Sequence, residues 1–160
     1  MNKILTWEAM REVVNLRRKE GQTIAFTNGC FDILHVGHVK YLEAARRMGD
    51  LLILGLNSDA SVRAIKGEKR PLVPQAERAE VVASLESVDY VTLFDETTPL
   101  RLIEYLQPDC IVKGGDWKEA SVVGGDLVRA RGGKVVIVPL IEGASTTNIV
   151  EKILQAYKKA

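Results

Sequence analysis

The two histidines of this chain stand three residues apart in one tetrapeptide, His35-Val36-Gly37-His38. The turn follows an apolar run, Thr23-Ile24-Ala25-Phe26, and precedes a helical pattern from Val39 to Arg46. A strand, a glycine-bearing turn and a helix start together make an anion site, because the free N–H groups of the first helical turn and the positive end of its dipole point at the turn. Two imidazoles placed there donate hydrogen bonds to phosphate oxygens, and Gly37 lets the backbone come close to a ligand. The ordinary alternative is a pair of surface or core histidines. The glycine between them and the strand–helix setting favour the anion site.

A second candidate lies near the C-terminus. Ser145, Thr146 and Thr147 precede the helical pattern Ile149-Val150-Glu151-Lys152-Ile153-Leu154, and Asn148 with Glu151 has the form of a capping box. Hydroxyls and free N–H groups at that helix start either cap the helix alone or hold a second phosphate group. The segment 66–71 carries Lys66, Lys69 and Arg70. It reads either as a solvated face or as a mobile clamp that neutralises polyphosphate charge during transfer. Arg78 lies on the helix that follows. Its guanidinium either reaches a phosphate or pairs with a carboxylate such as Glu77 or Glu80, and the sequence leaves both open. Cys30 lies close to the histidines, but phosphoryl chemistry needs no thiol nucleophile.

These residues must be positioned by a larger frame, and the chain alternates strand and helix throughout. An amphipathic segment, Trp7 to Arg18, is capped by Thr6 and stops before Gly21. Strands are expected at 22–27, 51–56, 89–94, 109–113 and 134–138. Helices are expected at 38–48, from Ser58 or Asp59 onward, at 75–86, 98–106, near 122–131 and at 147–158. This pattern gives an α/β fold with a doubly wound parallel five-stranded sheet. The ligand of such a sheet lies at the carboxyl ends of its strands. The polar or glycine-rich segments that follow strands are Thr27 to Asp32, the histidine turn, Asn57-Ser58-Asp59, Lys113-Gly114-Gly115-Asp116-Trp117 and Glu142 to Asn148. No repeat, linker or low-complexity tract interrupts the 160 residues, so residues 1–160 are expected to form one domain.

Composition narrows the partners. Hydrophobic residues are 46% and charged residues 27%, an ordinary soluble balance. The net charge of +1 gives no global pull toward nucleic acid or membrane. No apolar stretch is long enough to span a bilayer and the N-terminus lacks a signal-peptide core, so the expected location is cytoplasmic. Cys30 and Cys110 are too few for a disulfide framework and read as free thiols. The apolar residues of the first helix (Trp7, Met10, Val13, Val14, Leu16) either cover the sheet or form the face of a homodimer.

At this point the residues resemble a known family. Asn28-Gly29-Cys30-Phe31-Asp32-Ile33-Leu34-His35-Val36-Gly37-His38 resembles the signature of the cytidylyltransferase-like nucleotidyltransferases, and the segments from Lys113 to Trp117 and from Glu142 to Thr147 resemble two further motifs of that superfamily. Within it, nearly the whole chain is similar to the heptose 1-phosphate adenylyltransferases, which in many bacteria form the second domain of a bifunctional kinase–adenylyltransferase. The resemblance implies a Rossmann-like fold carrying the His-x-Gly-His motif. It also implies adenylyl transfer from ATP to D-glycero-β-D-manno-heptose 1-phosphate, giving ADP-heptose and pyrophosphate for the lipopolysaccharide inner core.

The same resemblance implies catalysis by His35, His38 and Lys66. It implies nucleotide binding by Asn28, Gly29, Cys30, Phe31, Asp32, Gly37, Asp116, Trp117, Ser145, Thr146 and Thr147. Lys69, Arg70 and Arg78 are the candidates for a phosphate clamp. Mg²⁺ would be held mainly by phosphate oxygens, with Asp32 as its candidate protein ligand. One departure stands out: related glycerol-phosphate cytidylyltransferases carry an arginine just upstream of the Ser-Thr-Thr turn, where this chain has Pro139-Leu140-Ile141-Glu142. The competing readings are another nucleotidyltransferase of the same fold, such as one making a cytidylyl product from glycerol 3-phosphate, and a non-catalytic nucleotide-binding module. A class I aminoacyl-tRNA synthetase fragment is disfavoured by the absence of a Lys-Met-Ser-Lys-like loop and of a basic surplus. A dehydrogenase is disfavoured because no G-x-G-x-x-G follows the first strand.

Overall fold

A computed structural model describes residues 2–115 and 117–158. Its centre is a five-stranded, all-parallel sheet made of β1 (Ile24–Gly29), β2 (Leu51–Asn57), β3 (Tyr90–Phe94), β4 (Cys110–Gly114) and β5 (Lys134–Val138), in the order β3-β2-β1-β4-β5. The helices are α1 (Trp7–Lys19), α2 (Val36–Arg46), α3 (Asp59–Lys66), α4 (Gln75–Ala83), α5 (Leu100–Leu106), α6 (Gly125–Ala130) and α7 (Thr146–Ala156), with one 3₁₀ turn at Glu119–Ser121. The expected five strands and their parallel winding are therefore observed.

The strands alternate their side chains between two cores. Ala25, Leu52, Leu54 and Val112 face a cluster covered by Leu42 and Ala45 of α2 and Ala79 and Val82 of α4. Ile24, Phe26, Ile53 and Ile111 face the opposite cluster, covered by Met10 and Val14 of α1, Leu102 and Ile103 of α5 and Val128 of α6. All seven residues of β2 are buried, as a strand covered on both faces requires. Met10 and Val14 have no exposed surface, and each such side chain contributes roughly 1.5–3 kcal/mol. So α1 covers the sheet, and Leu16, at 55% exposure, is left outside.

Three local differences from the sequence reading have physical causes. The second helix starts at Val36 rather than His38, because His35 is in the extended conformation of an N-cap and its carbonyl accepts from His38 N and Val39 N. The C-terminal helix is capped by Ser145, whose hydroxyl accepts from Asn148 N at 3.0 Å. The Asn148 amide turns back to the Gly143 carbonyl, so the Asn148–Glu151 box is not the cap. Lys66 is the last residue of α3 rather than part of the loop after it. The chain also adds a feature with no sequence signal: residues 3–5 pair in parallel with Val91 and blunt the β3 edge. No helix of the described residues is long and apolar enough to cross a membrane.

Candidate active site

The chain runs from β1 to β2 to β3 in one direction and then returns to β4 on the other side of β1. The β1/β4 boundary is thus the switch point of the sheet, where loops diverge and leave a crevice. A cleft of ≈ 590 Å³ opens there, within the range of small-ligand sites. Its floor is the end of β1 and β4, with Asn28, Gly29, Cys30, Lys113 and Gly114. The histidine turn forms one wall, the 140–147 segment the next, and Asn57, Ile65, Lys66, Arg70 and Thr97 to Pro99 the far side.

Two helix starts meet in this cleft. No side chain caps α2, so the open N-terminal turn at Val36–His38 retains its capacity for an anion. The start of α7 is held against it: Thr146 Oγ1 donates to the Ile33 carbonyl at 3.3 Å, and a Cβ added at Gly37 would lie 2.9 Å from Ala144 Cβ. Glycine at 37 is therefore required by the close approach of the segment that leads into α7. The His35 and His38 rings stack with centroids 3.8 Å apart, and Nδ1 of each is buried without a hydrogen-bond partner among the described residues. Burial, reinforced by the neighbouring His35, pulls the His38 pKa down to about 4, and burial lowers that of His35 as well. Both rings are neutral at pH 7 and each carries one N–H to donate.

Phe31 positions the turn from below. It has a positive φ of 46°, uncommon for a bulky residue, and its buried ring lies 5.0 Å from the His38 ring. A Cβ at Gly29 would fall 2.8 Å from the Phe31 ring, so Gly29 makes room for this arrangement. Cys30 follows on the cleft floor, and burial raises its thiol pKa. That direction is opposite to nucleophile activation. Both cysteines are free.

The cationic segment divides into three roles. Lys66 lines the cleft from the end of α3. Arg70 also lines it, but its Nε binds Asp32 Oδ2 at 2.5 Å. Lys69 is exposed and not on the cleft wall. Arg78 is a correction to the clamp: its guanidinium is fully buried behind the cleft and donates to the carbonyls of Val73, Cys30 and Asn57 and to Asp59 Oδ1, at 2.6–2.9 Å. The pairing carboxylate is Asp59, not Glu77 or Glu80. With its fork satisfied by three loops, Arg78 ties the ends of β1 and β2 to α4 and does not line the cleft.

Asp32 is likewise spoken for. Its carboxylate accepts from Leu72 N, Val73 N and Arg70 Nε. Burial pushes its pKa up, but these N–H donors and the Arg70 charge outweigh burial and leave it below the ordinary value. These oxygens pin the 70–73 segment, so Asp32 does not fit the role of Mg²⁺ ligand. Among the described residues, no group of three His, Cys, Asp or Glu side chains converges to hold a metal. A cation in this cleft would be carried by the oxygens of a phosphorylated ligand.

Of the remaining expected residues, Asn28, Gly29, Cys30, Phe31, Gly37, Trp117, Ser145, Thr146 and Thr147 all line the cleft. Asp116 lies outside the described residues. Lys113 lines the cleft as well, a residue that the sequence marks only through its Lys-Gly-Gly segment. The signal that would have found it is a lysine at the carboxyl end of a strand otherwise built from apolar residues.

The family model of the cytidylyltransferase-like proteins matches residues 26–152, from β1 into α7. The chain belongs to this family. It is 56% identical over 158 residues to the bifunctional protein HldE of Syntrophotalea carbinolica and 56% identical over 156 residues to that of Trichlorobacter lovleyi. Those alignments cover 99% and 98% of this chain but 32% of each relative, so the chain spans about a third of the length of the curated relatives it matches. Among solved structures, the lipopolysaccharide core biosynthesis protein of Thermoplasma volcanium superposes with a TM-score of 0.64 at 28% identity, over 78% of this chain and 100% of that one.

Proposed function

We propose that residues 1–160 form one nucleotidyltransferase domain that transfers the adenylyl group of ATP to D-glycero-β-D-manno-heptose 1-phosphate, releasing pyrophosphate and ADP-heptose. The observation that carries this reading is the meeting of two helix N-termini, at His35–His38 and at Ser145–Thr147, in one cleft at the switch point. Such a pair suits a polyphosphate better than any uncharged ligand. The choice of adenylyl and heptose rests on the resemblance over the whole chain and on the high identity to the HldE proteins.

A phosphate oxygen of the acceptor attacks the α-phosphorus of ATP in line. One O–P bond forms and the bond to the β-phosphate oxygen breaks. The acceptor monoester is already an oxyanion at neutral pH, since its second pKa is near 6, so no general base is required. This agrees with imidazoles held neutral: His38 donates an N–H to the α-phosphate as charge builds, and His35 donates to the phosphates beyond it. Lys66 stabilises the triphosphate from the α3 side, with Arg70 at the edge of the same wall. Asn28 to Phe31 lend backbone around the nucleotide, and Trp117, 45% exposed, offers a face for the nucleoside. Mg²⁺ accompanies the triphosphate and screens its charge from the incoming phosphate.

The test is pyrophosphate release with ATP, CTP, GTP and UTP, each against heptose 1-phosphate and against glycerol 3-phosphate. ATP with the heptose ester is expected to be preferred. Activity confined to CTP with glycerol 3-phosphate would move the chain to the cytidylyl class, and nucleotide binding without pyrophosphate release would make it a non-catalytic module.

A further inference from the structure

Lys113 is the penultimate residue of an otherwise apolar strand on the cleft floor, beside Asn28 of β1 and in register with Ile137 of β5. Lysines ordinarily run their stems along a surface and keep the ammonium in water. This one is 8% exposed. Its Nζ donates to Asn28 Oδ1 and lies 5.7 Å from the centroid of the Trp117 ring. Both partners are neutral, and no carboxylate of the described residues is paired with it. A buried ammonium held only by neutral groups is costly, and such a group inside a cleft marks a place where a counter-charge arrives. An ammonium has three N–H donors, and Asn28 takes one.

The other cations of the cleft sharpen the argument. Arg70 is bonded to Asp32, and Arg78 is buried behind the wall in its own network. The stretch upstream of Ser145 carries no cation. Among the described residues, the β4 side of the cleft thus depends on Lys113 for positive charge, while Lys66 lines the α3 side.

We propose that Lys113 is a phosphate-binding residue, its ammonium pairing directly with a phosphate oxygen of ATP or of the sugar 1-phosphate acceptor. This rests on the phosphoryl-transfer reading of the cleft. Burial sets the free-state pKa of Lys113 at about 8, with only a weak opposing pull from the Cys30 thiol. Arrival of an anion restores the charged form, so binding above pH 8 takes up a proton. The cleft groups with displaced pKa values lie away from pH 8.5. His35 and His38 are pushed below their ordinary value, Cys30 is pushed up, Tyr41 is raised to about 12, and the Asp32 carboxylate is held below its ordinary value.

Calorimetric titrations of the intact protein at pH 8.5, in two buffers of different ionisation enthalpy, read this directly. The titrants are ATP with Mg²⁺ and, separately, heptose 1-phosphate. The wild type should take up on the order of half a proton or more with one of them. Lys113→Met should abolish that uptake and weaken the same ligand by about tenfold or more. An effect confined to ATP assigns the contact to the nucleotide; an effect confined to the sugar phosphate assigns it to the acceptor. Absence of uptake in the wild type with both ligands overturns the proposal, whatever the fate of the variant. So does uptake that persists in Lys113→Met. A wild type that binds ATP with uptake but releases no pyrophosphate would remove the adenylyl-transfer reading and leave Lys113 as a phosphate ligand.

Discussion

His38 sits where neutral donors are most useful, at a helix start whose dipole already favours an anion. Replacing it with alanine is expected to lower kcat by roughly 100-fold or more with a smaller change in nucleotide affinity, whereas His35→Ala should weaken nucleotide binding more visibly. Steady-state kinetics and ATP titration check both; near wild-type turnover in the two variants would remove the assignment. The same burial has a consequence for stability. The folded His38 pKa of about 4 lies below the ordinary 6.5, so the unfolded chain binds the extra proton first as pH falls. Stability is full above about pH 6.5 and declines from there toward pH 4. Thermal unfolding across that range should show a shallower decline in His38→Gln than in the wild type. Arg78 makes the opposite kind of prediction. Arg78→Met leaves buried carbonyls and Asp59 without their donor, and should cost about 3 kcal/mol in urea unfolding while ATP affinity of the folded protein is kept. A large loss of affinity with unchanged stability would return Arg78 to the phosphates. The histidine turn was readable because spacing alone marks it. The fate of Arg78 was not, since its partners lie 5 to 48 residues away in sequence.

The elements matter through two contacts. Gly37 lets the start of α2 abut the start of α7, and alanine there would press on Ala144 Cβ, which has no freedom to move aside. Gly37→Ala should leave the fold intact and reduce turnover by about tenfold to 100-fold by separating the two helix starts that line the cleft. Unchanged turnover would show that the two helix starts act independently. The second contact is the fastening of Leu72 and Val73 to Asp32. A clamp spanning all of 66–71 is thereby shortened, because its distal half is held without ligand. Hydrogen exchange should find the Leu72 and Val73 amides protected in the free protein, and protection rising on nucleotide binding only around Gly67 to Lys69. Asp32→Asn should expose the same two amides. Cations in the segment were visible in the sequence. The carboxylate that ties it down stands 38 residues earlier, beyond any local pattern.

At the scale of the whole molecule, the sheet order β3-β2-β1-β4-β5 does one thing for function: it opens a single crevice beside β1, and every polar segment that follows a strand contributes to its rim. Mostly apolar runs of five or six residues between helical patterns were sufficient to place all five strands, because the central parallel strands are buried on both faces. The pairing of residues 3–5 on the β3 edge left no such trace, as a short edge segment has neither length nor pattern. Lys113 went unmarked because its burial is a property of the assembled floor, not of its neighbours in sequence.

The reaction proposed for the cleft is direct adenylyl transfer to a sugar 1-phosphate. Rapid-quench measurement of pyrophosphate from ATP and Mg²⁺, with and without D-glycero-β-D-manno-heptose 1-phosphate, tests it most directly. Release that depends wholly on the acceptor, with ADP-heptose formed in equal amount and no adenylylated protein, is the predicted result. A stoichiometric burst of pyrophosphate in the absence of acceptor would contradict it.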